Sequence, residues 1–139
     1  MATLPQTIHL ATSLPGPQAR ALDERASTAL PRALTAAMPT FARRTDRGVL
    51  EDVDGNRLID FGSGIAVTTV GGAAAPVVAA IQAQAENLTH TSFAVTRYAG
   101  YVEVAERLNA LTPGGFPKKT ALFNSGAEAV ENAIKLARR

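Results

Sequence analysis

The sequence predicts an α/β chain: a small antiparallel meander with helices, followed by a single strand–turn–helix. Three observations carry this. Asp54-Gly55-Asn56 separates two short runs rich in β-formers, which is a strong local hairpin signal. Apolar residues recur at helix spacing over 77–88 and 98–111. Near the end, the β-prone Thr120-Ala121-Leu122-Phe123 runs into Asn124-Ser125-Gly126-Ala127 and then an amphipathic stretch to Arg139.

Each element follows from its residues. Residues 1–17 form a leader rich in Pro, Thr and Gly, read as extended and surface-lying. Gln18 to about Leu30 has helical spacing, and Pro31 ends or kinks it. Phe41–Arg44, Gly48–Glu51 and Arg57–Phe61 are the three runs of the meander, with their charged turn residues expected to be solvated. Gly62-Ser63-Gly64 lacks the third glycine of a dinucleotide loop and reads as a glycine turn. Pro76 suits the first turn of the helix bearing Val77, Val78, Ile81, Ala85 and Leu88. Thr89–Phe93 is a polar loop. The next helix, Tyr98 to Leu111, turns Tyr101, Val104, Ala105, Leu108 and Leu111 inward and stops at Thr112-Pro113-Gly114-Gly115. On the last helix Val130, Ala133, Ile134 and Ala137 share a face.

Composition excludes several functions. The 139 residues hold 14 basic and 12 acidic side chains and no cysteine, which removes disulfides, thiolate metal sites and a cysteine nucleophile. A net charge of +2 without a basic stripe argues against nucleic acid. The apolar fraction of 46% with 19% charged residues is that of a folding chain. The first residues lack a basic segment followed by an apolar one, and the alanine- and glycine-rich stretch 64–81 makes a poor membrane span. A cytoplasmic protein without a membrane partner is the expectation.

The strand–turn–helix is where chemistry is expected. A helix N-terminus carries about half a positive charge and free N–H groups. Gly126 and Ala127 let an anion approach the backbone, and Ser125 adds a hydroxyl, so a phosphate fits. No Gly-Lys-Ser/Thr is present, so this is not a Walker loop. The competing reading is a plain cap by Asn124 or Ser125, with Glu128 favouring the first turn.

The run Asn124–Arg138 resembles the phosphate-cup segment of class III aminotransferases, which depend on pyridoxal 5'-phosphate (PLP) and have the type I PLP-dependent transferase fold. Asp52–Phe61 resembles that family's N-terminal hairpin, Gly62–Val67 the segment after it, and Thr89–Phe93 with Tyr98–Leu111 the loop and helix before the cup. The resemblance covers about residues 20–139. Val67–Gly71 and Leu122–Gly126 favour the 4-aminobutyrate branch, in its bacterial, actinobacterial form, over ornithine-type relatives. The resemblance implies Gly126 and Ala127 as backbone ligands of the PLP phosphate with Ser125 beside them, and Ile65 and Phe93 on the substrate side. It implies a homodimer that moves an amino group from 4-aminobutyrate to 2-oxoglutarate, giving succinate semialdehyde and glutamate. Acetylornithine, ornithine or another ω-amino acid is the alternative donor, and a non-catalytic phosphate-binding or interaction module is the alternative of another class. Where many relatives have Gly-His-x-His-Pro, this chain has Gly71-Gly72-Ala73-Ala74-Ala75-Pro76. His90 is read as a hydrogen-bonding residue rather than a catalyst. The lysine that carries PLP and the acid facing its pyridine nitrogen lie, in the family, downstream of the cup. None of Lys118, Lys119 and Lys135 matches that lysine, so no catalytic residue is assigned in this chain and the chain alone is expected to be inactive. The implied organisation is a leader over 1–17, a helix and meander over 18–75, and the start of a large PLP-binding domain over 76–139, expected to stop within a helix.

Overall fold

In the computed structural model, which describes residues 3–139, the element order is α1 (Pro17–Ala29), β1 (Ala42–Asp46), β2 (Val49–Asp52), β3 (Arg57–Ile59), α2 (Ser63–Ala66), α3 (Ala75–Asn87), α4 (Ala99–Leu111) and α5 (Gly126–Ala137). Two compact units are present: one ends at Asn87 and the other is Leu88–Arg139. No helix of the described residues is long and apolar enough to cross a membrane.

In the first unit the three strands form an antiparallel sheet in sequence order. Val49 pairs with Asp46 across one hairpin and with Ile59 across the next, which puts its side chain in the centre, 1% exposed. Leu4 and Ala19 are the other buried apolar residues among those described, so the core lies where the leader and α1 meet the meander. The leader runs along the free edge of β3. The His9 N–H donates to the Arg57 carbonyl at 3.0 Å and the Arg57 N–H to the His9 carbonyl at 2.7 Å. Covering an edge in this way removes a template for unwanted strand pairing.

The charged turn residues are not simply solvated, as a reading of the sequence suggests. Asp52 is fully buried and accepts from the backbone N–H groups of Asp54 (2.9 Å) and Asn56 (2.8 Å), the Asn56 amide (2.8 Å) and the Thr40 hydroxyl (2.7 Å). Asn56, also buried, accepts the Thr12 N–H at 2.9 Å. Asp46 accepts the Leu4 N–H at 2.6 Å. Asp54 caps α1 from outside the helix: its two carboxylate oxygens accept from Gln18 N–H at 2.8 Å and Ala19 N–H at 2.9 Å. The residue at the N-cap position, Gly16, has no side chain for that task.

Gly16 also leaves room for the borrowed cap. A Cβ there would lie 2.3 Å from the Asp54 carboxyl carbon and 2.6 Å from the Thr12 hydroxyl. Asp54 is pinned by two N–H groups and cannot retreat without losing them. Gly16→Ala is therefore expected to destabilise the first unit by about 1–3 kcal/mol, read as a lowered unfolding midpoint in the full-length protein. An unchanged midpoint would show that the carboxylate does not hold α1.

The two glycines that open the run Gly71–Pro76 have a structural reason. Gly72 and Arg47 exchange two backbone hydrogen bonds, each 2.8 Å, and a Cβ on Gly72 would meet the Thr45 side chain at 2.5 Å. Gly71 has φ +97°, a conformation glycine adopts without strain. After this contact the chain enters α3 at Ala75, so Pro76 occupies the second helical position.

In the second unit the helices fall close to where periodicity places them. The run 120–123 is not a strand, because a strand is defined by its ladder and no described segment pairs with it. The inward faces expected on α4 and α5 are largely uncovered within this unit: Leu111 is 79% and Val130 61% exposed, and no residue of either helix is fully buried.

Candidate functional site

The turn into α5 contains both features that the sequence left in competition. Ser125 is the N-cap, with extended backbone at φ −144° and ψ 157°. Its Oγ accepts the Glu128 N–H at 3.2 Å. The Glu128 carboxylate reaches back to accept the Ser125 N–H at 3.1 Å and the Asn124 N–H at 2.9 Å. This is a complete capping box, which satisfies three of the donors at this end.

The box leaves Gly126 and Ala127 out. Among the described residues no protein acceptor meets either N–H group. A Cβ built on Gly126 meets nothing within 4 Å, so a side chain at that position would enter open space. Ser125 Oγ uses a lone pair for Glu128, and its own proton remains available to a ligand. Two adjacent free N–H groups, a spare hydroxyl proton and the positive end of a twelve-residue helix suit a phosphate. The capping reading and the phosphate reading are therefore compatible: the cap holds the turn, and what it does not use faces outward.

Phe93 lies in the same unit, on a turn in which Ser92 O accepts from both Val95 N–H and Thr96 N–H at 2.9 Å. Its ring stacks on Tyr101 with centroids 4.2 Å apart and meets Tyr98 edge-on at 5.4 Å. His90 sits on the exposed loop ahead of it. Lys118 Nζ donates to the Gly114 carbonyl at 2.6 Å, and Lys135 pairs with Glu131 at 2.6 Å, so both serve the ends and faces of helices.

Ile65 belongs to the first unit. The sequence suggests a glycine turn here, and the turn is left-handed: Ser63, Gly64, Ile65 and Ala66 all have φ between 48° and 63°. Positive φ is unfavourable for a β-branched residue. The turn is held by Ser63 N–H donating to Asp60 at 2.7 Å, by Ile65 N–H to the Gly62 carbonyl at 2.7 Å, and by a 2.9 Å hydrogen bond between the Ser63 and Thr68 hydroxyls. Its effect is to present the Ile65 side chain outward, 95% exposed.

One residue at this site carries a role that local pattern does not report. Tyr101 stands in the sequence as one more inward apolar position of its helix. Its hydroxyl in fact accepts the Leu122 N–H at 2.8 Å, across a separation that no local pattern reports.

The chain is similar to known proteins over nearly its whole length. The sequence profile of the family described as aminotransferase class-III matches residues 32–139. The 4-aminobutyrate aminotransferase of Mycobacterium tuberculosis is 54% identical over 138 residues, which is 99% of this chain and 31% of that protein. The 5-aminovalerate aminotransferase of Pseudomonas aeruginosa is 45% identical over 115 residues, 83% of this chain and 27% of that protein. Among solved structures, N-acetylornithine aminotransferase from Stenotrophomonas maltophilia superposes with a TM-score of 0.69 at 35% identity, over 82% of this chain and 29% of that one. The chain thus spans about a third of the length of the curated relatives it matches.

Proposed function

The chain belongs to the class III aminotransferases, and on that premise we propose that the full-length protein transfers the amino group of 4-aminobutyrate to 2-oxoglutarate, with PLP as cofactor. The pair of unpartnered N–H groups at Gly126 and Ala127, beside a capped Ser125, is the observation that carries the cofactor assignment. The choice of amino donor is supported by the 54% identity to a protein named 4-aminobutyrate aminotransferase, against 45% for one named 5-aminovalerate aminotransferase.

In this reading Gly126 and Ala127 donate their N–H groups to the cofactor phosphate, and the Ser125 hydroxyl donates a third hydrogen bond. The positive end of α5 stabilises the dianion. The capping box keeps these donors in place before the ligand arrives, so little ordering is left for binding. When bound, PLP supplies the electron sink that amino-group transfer requires. Ile65 and Phe93 are proposed as apolar walls on the substrate side, excluding water from the reacting amine. We also propose a cytoplasmic homodimer. The uncovered apolar faces of α4 and α5 favour burial against further chain or a second subunit.

The test is direct. Apo full-length protein should take up PLP with a new absorbance band, and should form glutamate from 4-aminobutyrate and 2-oxoglutarate. The 139-residue chain alone should form none, because none of Lys118, Lys119 and Lys135 matches, by the family resemblance, the lysine that carries PLP. Failure of the full-length protein to bind PLP would remove the assignment, and turnover by the 139-residue chain would contradict the expectation for the chain alone.

A further inference from the structure

The extended segment before the phosphate turn is tied to α4 by side chains. Thr120 Oγ1 donates to Asn109 Oδ1 at 2.8 Å, near the C-terminal end of α4. Leu122 N–H donates to the Tyr101 hydroxyl at 2.8 Å, in the first turn of α4. Tyr101 is thus the last residue outside α5 seen to hold the backbone ahead of Ser125, three residues beyond Leu122. The same ring stacks on Phe93 at 4.2 Å with an interplanar angle of 23°, and lies 6.3 Å from Tyr98 in an edge arrangement. Stacked and edge-on pairs of this kind fix ring orientation as well as burying area. One side chain therefore touches both the substrate-side aromatic and the approach to the phosphate donors.

We propose that Tyr101 is a positioning residue for both halves of the site: its hydroxyl fixes the backbone at Leu122, and its ring sets the orientation of Phe93. The proposal rests on the reading of residues 125–127 as the cradle of the cofactor phosphate and of Phe93 as a substrate-side wall. Tyr101 touches neither cofactor nor substrate in this scheme and acts through Leu122 and Phe93.

The two functions separate by substitution in the full-length protein. Tyr101→Phe removes the hydroxyl and keeps the ring. It should weaken PLP binding about three- to tenfold, the loss of one net hydrogen bond, and speed amide hydrogen exchange in a peptide covering Leu122. It should leave the KM for 4-aminobutyrate unchanged in PLP-saturated enzyme. Tyr101→Leu should weaken PLP binding similarly and also raise that KM, because Phe93 loses its stacking partner. A purely structural role would lower thermal stability without this division between PLP affinity and KM. If Tyr101→Phe binds PLP as tightly as the parent and exchanges Leu122 no faster, the proposal is overturned. That outcome is also the one expected if a neighbouring strand takes the Leu122 N–H in the full-length protein. Should Tyr101→Leu fail to fold, Tyr101→Phe decides alone. A parent protein that binds no PLP would overturn the cofactor reading itself, and this proposal with it.

Discussion

Gly126→Pro should weaken PLP binding by the full-length protein about tenfold or more while leaving its fold in place. Gly126 is the first residue of α5, where proline is well tolerated because the N–H it lacks has no helical partner. The preceding residue, Ser125, already has the extended φ and ψ that precede proline. The capping box uses the N–H groups of Asn124, Ser125 and Glu128, and none of these is lost. What disappears is one of the two N–H groups left for a ligand, and a hydrogen bond to a charged group is worth about 1.5–3 kcal/mol. The ring carbon on the nitrogen also occupies the place of that N–H, which acts in the same direction. Gly126→Ala keeps the N–H and adds only a Cβ, so it reports the steric part alone. A titration of the apo protein with PLP, paired with its unfolding midpoint, checks this. Unchanged affinity in Gly126→Pro would show that the phosphate binds elsewhere.

The largest effect on stability is expected at Asp52. Replacing it by alanine leaves four donors facing a buried, emptied acceptor site: Asp54 N–H, Asn56 N–H, the Asn56 amide and the Thr40 hydroxyl. Stranding such groups should cost about 3 kcal/mol or more. Asp52→Asn keeps one acceptor oxygen and should cost less. The pH dependence follows from the same contacts. Burial pushes the Asp52 carboxyl up, but the hydrogen bonds from Asn56, Thr40 and Asp54 outweigh it, so its pKa lies below the ordinary 3.8. A depressed folded-state pKa means that the stabilisation is present above the unfolded pKa and lost as pH falls through the folded one. Asp46 is lowered in the same sense, chiefly by the Leu4 N–H, and Glu51 by Arg44. The unfolding midpoint should therefore fall on acidification below about pH 4. The acid sensitivity should be smaller in Asp52→Asn, and a profile identical to the parent's would argue against Asp52 as its source.

Much of this architecture can be read from local pattern. The helices at 75–87, 99–111 and 126–137 follow from apolar periodicity with Pro and Gly at their ends, and the meander from Asp54-Gly55. The Ser-x-x-Glu spacing at 125–128 is also local, and it produced the capping box. What stayed hidden depends on distance along the chain. Asn56 and Asp54 look like solvated turn residues until the leader and α1 arrive beside them with unpaired N–H groups. The Tyr101–Leu122 contact joins a helix to an extended segment with no repeat between them. The left-handed turn at 63–66 shows in the sequence only as glycines, although three of its four residues are not glycine. The extended run 120–123 shows the reverse case: its residues favour a strand, but strand formation needs a partner that residues 3–119 do not supply.

We propose that this segment belongs to an enzyme whose amino donor is 4-aminobutyrate. The most direct test is kcat/KM of the full-length protein, loaded with PLP and with 2-oxoglutarate as acceptor, for 4-aminobutyrate, 5-aminovalerate and N-acetylornithine. The value for 4-aminobutyrate should exceed that for N-acetylornithine by about tenfold or more, a difference that contacts in one pocket can produce. A preference for N-acetylornithine would contradict it.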